Sequence, residues 1–107
     1  MNCKVSILCP ITYEVTNKEY ICLKTPHGDH ITNLSGRIIL DSLYDGVLLK
    51  DIVEKYQNKK SISFRDAAVE VCEYLGGLKT LGFLEYDDGF FDDVIFHKQF
   101  NVAGERE

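Results

Sequence analysis

No stretch of this 107-residue chain approaches the ~20 consecutive apolar residues that a membrane-spanning helix requires. The segment Met1 to Pro10 carries one basic residue, Lys4, and lacks the layout of a secretory signal, so a cytoplasmic protein with no membrane partner is expected. Basic residues are in deficit, with 12 Lys and Arg against 17 Asp and Glu and a formal net charge of −5. Nucleic-acid binders draw much of their affinity from counterions released by phosphate contacts and are usually basic. The balance therefore lowers nucleic acid among the expected partners and raises peptides and proteins. Cys-x-x-Cys spacing is absent: Cys3, Cys9, Cys22 and Cys72 are scattered, and His27, His30 and His97 complete no zinc-ligand pattern. No metal is expected, and the cysteines read as reduced, small apolar residues. Enzyme signatures are missing too. The chain has no phosphate-cradling glycine loop, no Gly-x-Ser-x-Gly elbow and no His-Glu-x-x-His helix, and nothing pairs two of its many carboxylates in one site. A protein without catalysis or cofactor is expected.

What is present fits one domain. The length suits a single core, and the 45% of apolar residues are spread along the chain without repeats or low-complexity tracts. The first third reads as strands. Val5 to Leu8 is a short β-prone run stopped by Pro10, and Tyr13 to Val15 is a second, followed by a turn at Asn17-Lys18. Tyr20 to Lys24 alternates, and Pro26-His27-Gly28-Asp29 supplies turn chemistry before His30 to Leu34, so the two runs form an antiparallel hairpin. In that last strand Ile31 and Asn33 point one way and His30, Thr32 and Leu34 the other. One set contacts the core and the other meets ligand or solvent, and alternation alone does not say which.

The period changes at Ser35, a good N-cap, after which Ile38, Ile39, Leu40, Leu43 and Tyr44 recur at helical spacing until Asp45-Gly46. A second helix spans about Leu48 to Tyr56, and the polar stretch Gln57 to Lys60 reads as a loop. Ser63 with Asp66 three residues on resembles a capping box that opens a third helix running to Leu81. Gly76-Gly77 lies inside this helix at a cost of about 1 kcal/mol per glycine relative to alanine. It implies either a bend or something packed closely against the backbone. Phe83 to Tyr86 leaves the helix as a short strand. The acidic and aromatic remainder, with Phe90, Phe91, Val94, Ile95 and Phe96, is too apolar for a solvated tail and must pack on the domain or on a partner; Asn101 to Glu107 reads as frayed.

Strands followed by three helices give an α+β, winged-helix-like domain with an N-terminal antiparallel three-stranded sheet. From Ile31 to Glu85 the chain resembles the PqqD family. The resemblance lies in Ile31-Thr32-Asn33-Leu34-Ser35-Gly36 leading into Ile38-Ile39-Leu40, in Leu43-Tyr44-Asp45-Gly46, in the Ile52-Val53 helix, in Asp66, and in Leu78-Lys79-Thr80-Leu81-Gly82-Phe83-Leu84. It covers about half the chain and is a pattern of apolar positions rather than of catalytic residues; the double glycine and the aromatic tail depart from it. The resemblance implies a recognition domain over residues 1–88, with 89–107 as an acidic, aromatic extension. Such domains bind the leader segment of a ribosomally made, post-translationally modified precursor peptide. They present it to a modifying enzyme, often a radical S-adenosylmethionine enzyme. The peptide adds as a strand beside the third strand of the sheet, in a groove closed by the third helix. By position this maps onto His30, Ile31, Thr32, Asn33 and Leu34, and onto Arg65, Asp66, Val69, Glu70 and Tyr74 in the first half of the helix.

An unpaired sheet edge supports that mode on physical grounds, because its free N–H and C=O groups can register an extended peptide. The duller readings are that the apolar stripe of the third helix is core, that Asp66 only caps, and that Lys59, Lys60 and Arg65 are solvated. A winged-helix DNA-binding transcriptional regulator is the alternative from another class. Its recognition helix would face phosphate with Asp66, Glu70 and Glu73 against Arg65, which is repulsive. A third reading is a structural subunit that docks through its aromatic tail.

Overall fold

The computed structural model describes residues 3–16 and 19–97, with the backbone alone for Phe96 and His97. The turn expected at Asn17-Lys18 and the terminal segment from Asn101 lie outside the described residues. The architecture is α+β: a three-stranded antiparallel sheet, a smaller two-stranded one, and a layer of helices. In chain order the elements are β1 (Ser6–Ile7), β2 (Thr12–Val15), β3 (Tyr20–Thr25), β4 (Gly28–Asn33), α1 (Gly36–Ser42), α2 (Leu49–Lys60), α3 (Phe64–Thr80), β5 (Leu84–Glu85) and the single turn α4 (Gly89–Phe91). A π-helical run, Asp92–His97, follows α4 directly. No helix among the described residues is long and apolar enough to cross a membrane.

The larger sheet runs β2-β3-β4 as a meander. Its second hairpin turns at Pro26-His27, where Thr25 pairs with Gly28. The Thr25 hydroxyl closes the turn, accepting the His27 N–H at 3.1 Å and donating to the Gly28 carbonyl at 2.9 Å. Gly28 has φ of 125°, a value that only glycine adopts freely. β1 leaves this sheet and pairs with β5, so the run expected at Phe83 to Tyr86 does form a strand. The N-terminal segment is further held by Val5, whose N–H bonds the Val47 carbonyl at 2.8 Å and whose carbonyl accepts from Gly46 at 2.7 Å.

The helices differ from the expectation at their ends. α1 stops at Ser42, so Leu43 and Tyr44 lie in the connection beyond it, and Gly46 takes positive φ within the turn that follows. Ser35 sits at the N-cap without a capping bond; its hydroxyl accepts instead from Lys60 Nζ at 3.2 Å. The polar stretch Gln57 to Lys60 is not a loop but the last turn of α2, ended by Ser61 in the left-handed region at φ 55°. Polarity there reflects exposure, and Lys59 and Lys60 suit the negative end of the helix. α3 begins as expected, with the Ser63 hydroxyl accepting the Asp66 N–H at 3.0 Å. It ends in a Schellman motif: Phe83 N–H bonds Leu78 O and Gly82 N–H bonds Lys79 O, both at 3.0 Å, with Gly82 at φ 84°.

The core lies between the helix-facing side of the sheet and the α2–α3 pair, where Ile21, Leu23, Ile52, Tyr56, Val71 and Leu75 are buried. Each such side chain contributes about 1.5–3 kcal/mol on burial. The described side chains of the aromatic stretch pack on the domain, the first of the two options open to it, and the Phe96 side chain lies outside the described residues. Phe90, Phe91 and Ile95 are buried, with Phe91 edge-on to Tyr86 at 5.7 Å between ring centres. Lys79 ties this segment to α3 by donating to the Tyr86 carbonyl at 2.7 Å while lying 3.3 Å from carboxylate oxygens of both Glu85 and Asp88. We therefore expect Phe91→Ala to destabilise the domain by about 3–5 kcal/mol, as for other fully buried phenylalanines. Urea unfolding of the variant checks this; a loss below 1 kcal/mol would mean that the segment only rests on the surface.

Candidate functional site

In an antiparallel ladder, successive residues alternate between exchanging hydrogen bonds with the neighbouring strand and pointing those groups away. The Leu34 N–H bonds the Glu19 carbonyl at 3.2 Å, one step beyond the Tyr20–Asn33 pair, which fixes the phase. Thr32 and His30 then exchange main-chain bonds with Ile21 and Leu23, while Ile31 and Asn33 turn theirs outward. The opposite flank of β3 agrees. There the Thr16 N–H bonds the Tyr20 carbonyl at 3.3 Å, which assigns Tyr20 and Cys22 to β2 and leaves Ile21 and Leu23 for β4. Among the described residues no strand lies beyond β4. The N–H and C=O groups of Ile31 and the N–H of Asn33 thus form an open row, and the Asn33 carbonyl accepts only a long bond, 3.5 Å, from the Thr32 hydroxyl of the same strand.

The side chains follow the complementary alternation. Thr32 and His30 face the helices: the Thr32 hydroxyl lies 3.0 Å from the Tyr74 hydroxyl, and the His30 ring meets Phe83 edge-on at 5.3 Å. Ile31 and Asn33 project from the far face, and Ile31 is 64% exposed. The choice that alternation left open is therefore made: His30, Thr32 and the half-buried Leu34 turn inward.

Two clefts run along this edge. The first, of about 460 Å³, lies between His30–Asn33 and the second half of α3, with Leu23, Gly77, Leu78 and Leu81 as apolar walls. The second, of about 300 Å³, continues past Asn33 to Ser35 and Gly36 and is bounded by Tyr56, Glu70 and Glu73. Asn33, Glu73 and Tyr74 line both, so the clefts form one groove that Tyr74 divides. Tyr74 stands there because the chain leaves it room: a Cβ on Gly36 would come within 2.4 Å of its ring. On α3, Gly77 has no atom within 4 Å of where its Cβ would be, so its missing side chain is a notch in the groove wall. Nothing packs against Gly77, whereas Gly76 has the Tyr86 hydroxyl 3.9 Å from its Cβ position, and α3 runs unbroken through both glycines.

Charge in the groove is acidic. The Glu70 carboxylate accepts from the Tyr56 hydroxyl at 2.5 Å; burial first, and this bond second, push the Tyr56 phenol up to about 12. Burial likewise raises the Tyr74 phenol, with the Thr32 hydrogen bond opposing it. Glu73 has no hydrogen bond or ion pair among the described residues.

Of the residues expected at a peptide site, His30, Ile31, Thr32, Asn33, Glu70 and Tyr74 line this groove, and Leu34 follows β4 directly. Arg65, Asp66 and Val69 lie on the first two turns of α3 and line neither cleft: Arg65 and Asp66 are exposed, and Val69 packs against the core. The helix wall is instead built from Glu70 onward, and Gly77, Leu78 and Leu81 were not anticipated. The glycine pair was the available signal for them.

A larger cleft of about 520 Å³ lies on the opposite flank, among Ile7, Ile11, Tyr13, Leu40, Leu43 and Tyr44. The chain's own segment from Ile7 to Ile11 walls it beside β2, and β2 has four residues against the six of β4. The groove at β4 therefore lies along the longer of the two edge strands. Comparison with protein-family models, with curated proteins and with solved structures gives no match.

Two glycine substitutions probe this geometry. Gly77→Ala should stabilise the domain by up to about 1 kcal/mol, because the new methyl meets open space in a helix. Gly36→Ala should displace the Tyr74 ring, break its bond to Thr32 and cost about 1–3 kcal/mol. Urea unfolding of both variants checks the pair, and equal effects would contradict the contrast.

Proposed function

We propose that this chain is a non-catalytic recognition domain of the PqqD type, which binds the leader of a precursor peptide by strand addition to β4 and presents it to a modifying enzyme. The observation that carries the reading is the open main-chain row at Ile31 and Asn33 beside a groove walled by α3. An extended guest completes the sheet with its backbone and sends alternate side chains into the groove, which is the usual division between affinity and specificity in strand addition. The resemblance in the Ile31 to Glu85 stretch supports the same strand and the same helix. An interface of this kind buries about 1,200 Å² in total, at the small end of specific interfaces. A dissociation constant near 1 μM, about −8 kcal/mol, is ordinary for it. The resemblance implies a modifying enzyme of the radical S-adenosylmethionine class. Against a DNA-binding regulator stands the exposed face of α3, where Asp66, Glu70 and Glu73 outnumber Arg65.

Proline placement tests the reading, because proline removes one N–H. At Ile31 that N–H faces the open edge, a position where proline is tolerated on an edge strand. Ile31→Pro should keep the fold and abolish binding of leader peptides encoded by short genes neighbouring this one. Thr32→Pro removes the bond to Ile21 and should unfold the hairpin. Circular dichroism reports the fold, and titration of the isotope-labelled chain reports binding through the amides of Ile31, Asn33 and Gly77. Undiminished binding by folded Ile31→Pro, or shifts gathered at Tyr13 and Val15 instead, would overturn strand addition at β4.

A further inference from the structure

The groove has two compartments of different chemistry, and they are arranged in sequence along both of its walls. Passing from His30 toward Ser35 on one side corresponds to passing from Leu81 back toward Glu70 on the other. The first compartment is the more apolar, with Leu23, Leu78 and Leu81 around the Gly77 notch and Glu73 at its border with the second. The second carries Glu70 and Glu73. In an added strand, the side chains that enter the groove are two residues apart, about 7 Å along the chain. Neighbouring inward side chains of one guest therefore meet the two compartments on either side of Tyr74.

The charges nearby sort themselves. Asp29, near the start of β4, is paired at 3.0 Å with Lys24, which also lies 3.4 Å from Glu14. Glu70 has one oxygen committed to Tyr56. Lys60 reaches the rim of the acidic compartment, where its Nζ donates to Ser35 and lies 5.8 Å from the centre of the Tyr56 ring. Glu73 borders both compartments and has no cationic partner among the described residues. A carboxylate in a groove loses water when a guest closes over it, and that loss is offset only if the guest supplies a positive group.

Resting on the strand-addition reading, we infer that the groove selects an extended peptide that carries a lysine or arginine at the acidic compartment and, two residues away, a large apolar side chain at the Gly77 notch. Leucine, phenylalanine and methionine fit the second requirement; an acidic residue at the first position is rejected by Glu73. The charge pair should also be sensitive to salt, because the groove is open to solvent.

A random dodecapeptide library displayed on phage, selected against the whole chain and against Glu73→Lys, tests this. The wild-type chain should enrich a basic residue spaced by two from a large apolar one, and Glu73→Lys should reverse the charge preference. A synthetic peptide of the enriched pattern should bind Glu73→Gln about tenfold more weakly, the scale of one partly desolvated charge pair. Glu73 is exposed, and circular dichroism confirms that both variants fold. Peptides that shift the Ile31 and Asn33 amides but show no charge preference would overturn this inference and leave strand addition standing. If no enriched peptide shifts those amides, strand addition at β4 fails with it.

Discussion

Each residue of a β-ladder directs its amide and carbonyl to one flank only, and the phase of that alternation governs everything at the β4 edge. The bond from Leu34 to Glu19 sets the phase, and the turn at Thr25–Gly28 is compatible with no other. With the phase set, His30 and Thr32 must hold the sheet together, and Ile31 and Asn33 must face outward. The side chains follow with no further freedom: the residues whose backbones hold the sheet turn their side chains toward the helices. A shift of one residue would exchange the two sets, burying Ile31 and exposing the Thr32–Tyr74 pair. Edge, groove and core are in this sense one constraint seen from three sides.

Tyr74 converts that constraint into a groove of fixed width. Its hydroxyl meets Thr32 while its ring lies against Gly36, so one side chain of α3 touches both β4 and the first residue of α1. The far end of α3 is fixed separately, by the Gly82 terminus and by Lys79, which holds the segment containing Tyr86 and Asp88. Between these anchors the helix wall passes Gly77 with nothing filling the space beside it. A helix needed only for stability would gain from alanine there, so the empty position fits a surface whose use is to receive something.

Much of this was legible in the sequence, for identifiable reasons. The hairpin announced itself through alternation around Pro26-His27-Gly28, and α3 through apolar residues at threes and fours after a Ser63–Asp66 cap. Local chemistry determines such features. The errors came where one local signal had two causes. Gln57 to Lys60 are polar because they lie on the outer face of a helix, and polarity alone cannot tell that from a loop. Ser35 has the side chain of an N-cap but bonds Lys60, a partner 25 residues away that only the fold supplies. Of the positions expected on the first half of α3, Glu70 and Tyr74 line the groove and Arg65, Asp66 and Val69 do not, because the resemblance gives a position along the helix and not a face of it. Only the distance from β4 shows that Glu73, Gly77 and Leu81 are opposite the open row.

An open edge is also a hazard, because two copies can pair through it as readily as a guest can. Ile31 adds exposed apolar surface at that position, so association cannot be resisted by solvation alone. A carboxylate beside the edge, as Glu73 is, would act against it by repulsion. Two β4 edges brought together bring two such grooves together, each with an unpaired negative charge, on chains that already carry a net −5. A guest with a basic side chain removes that repulsion, whereas a second copy doubles it. On the proposed reading, the same acidic group would select the partner and keep the free domain apart from its own kind, without lengthening the strand or covering the edge.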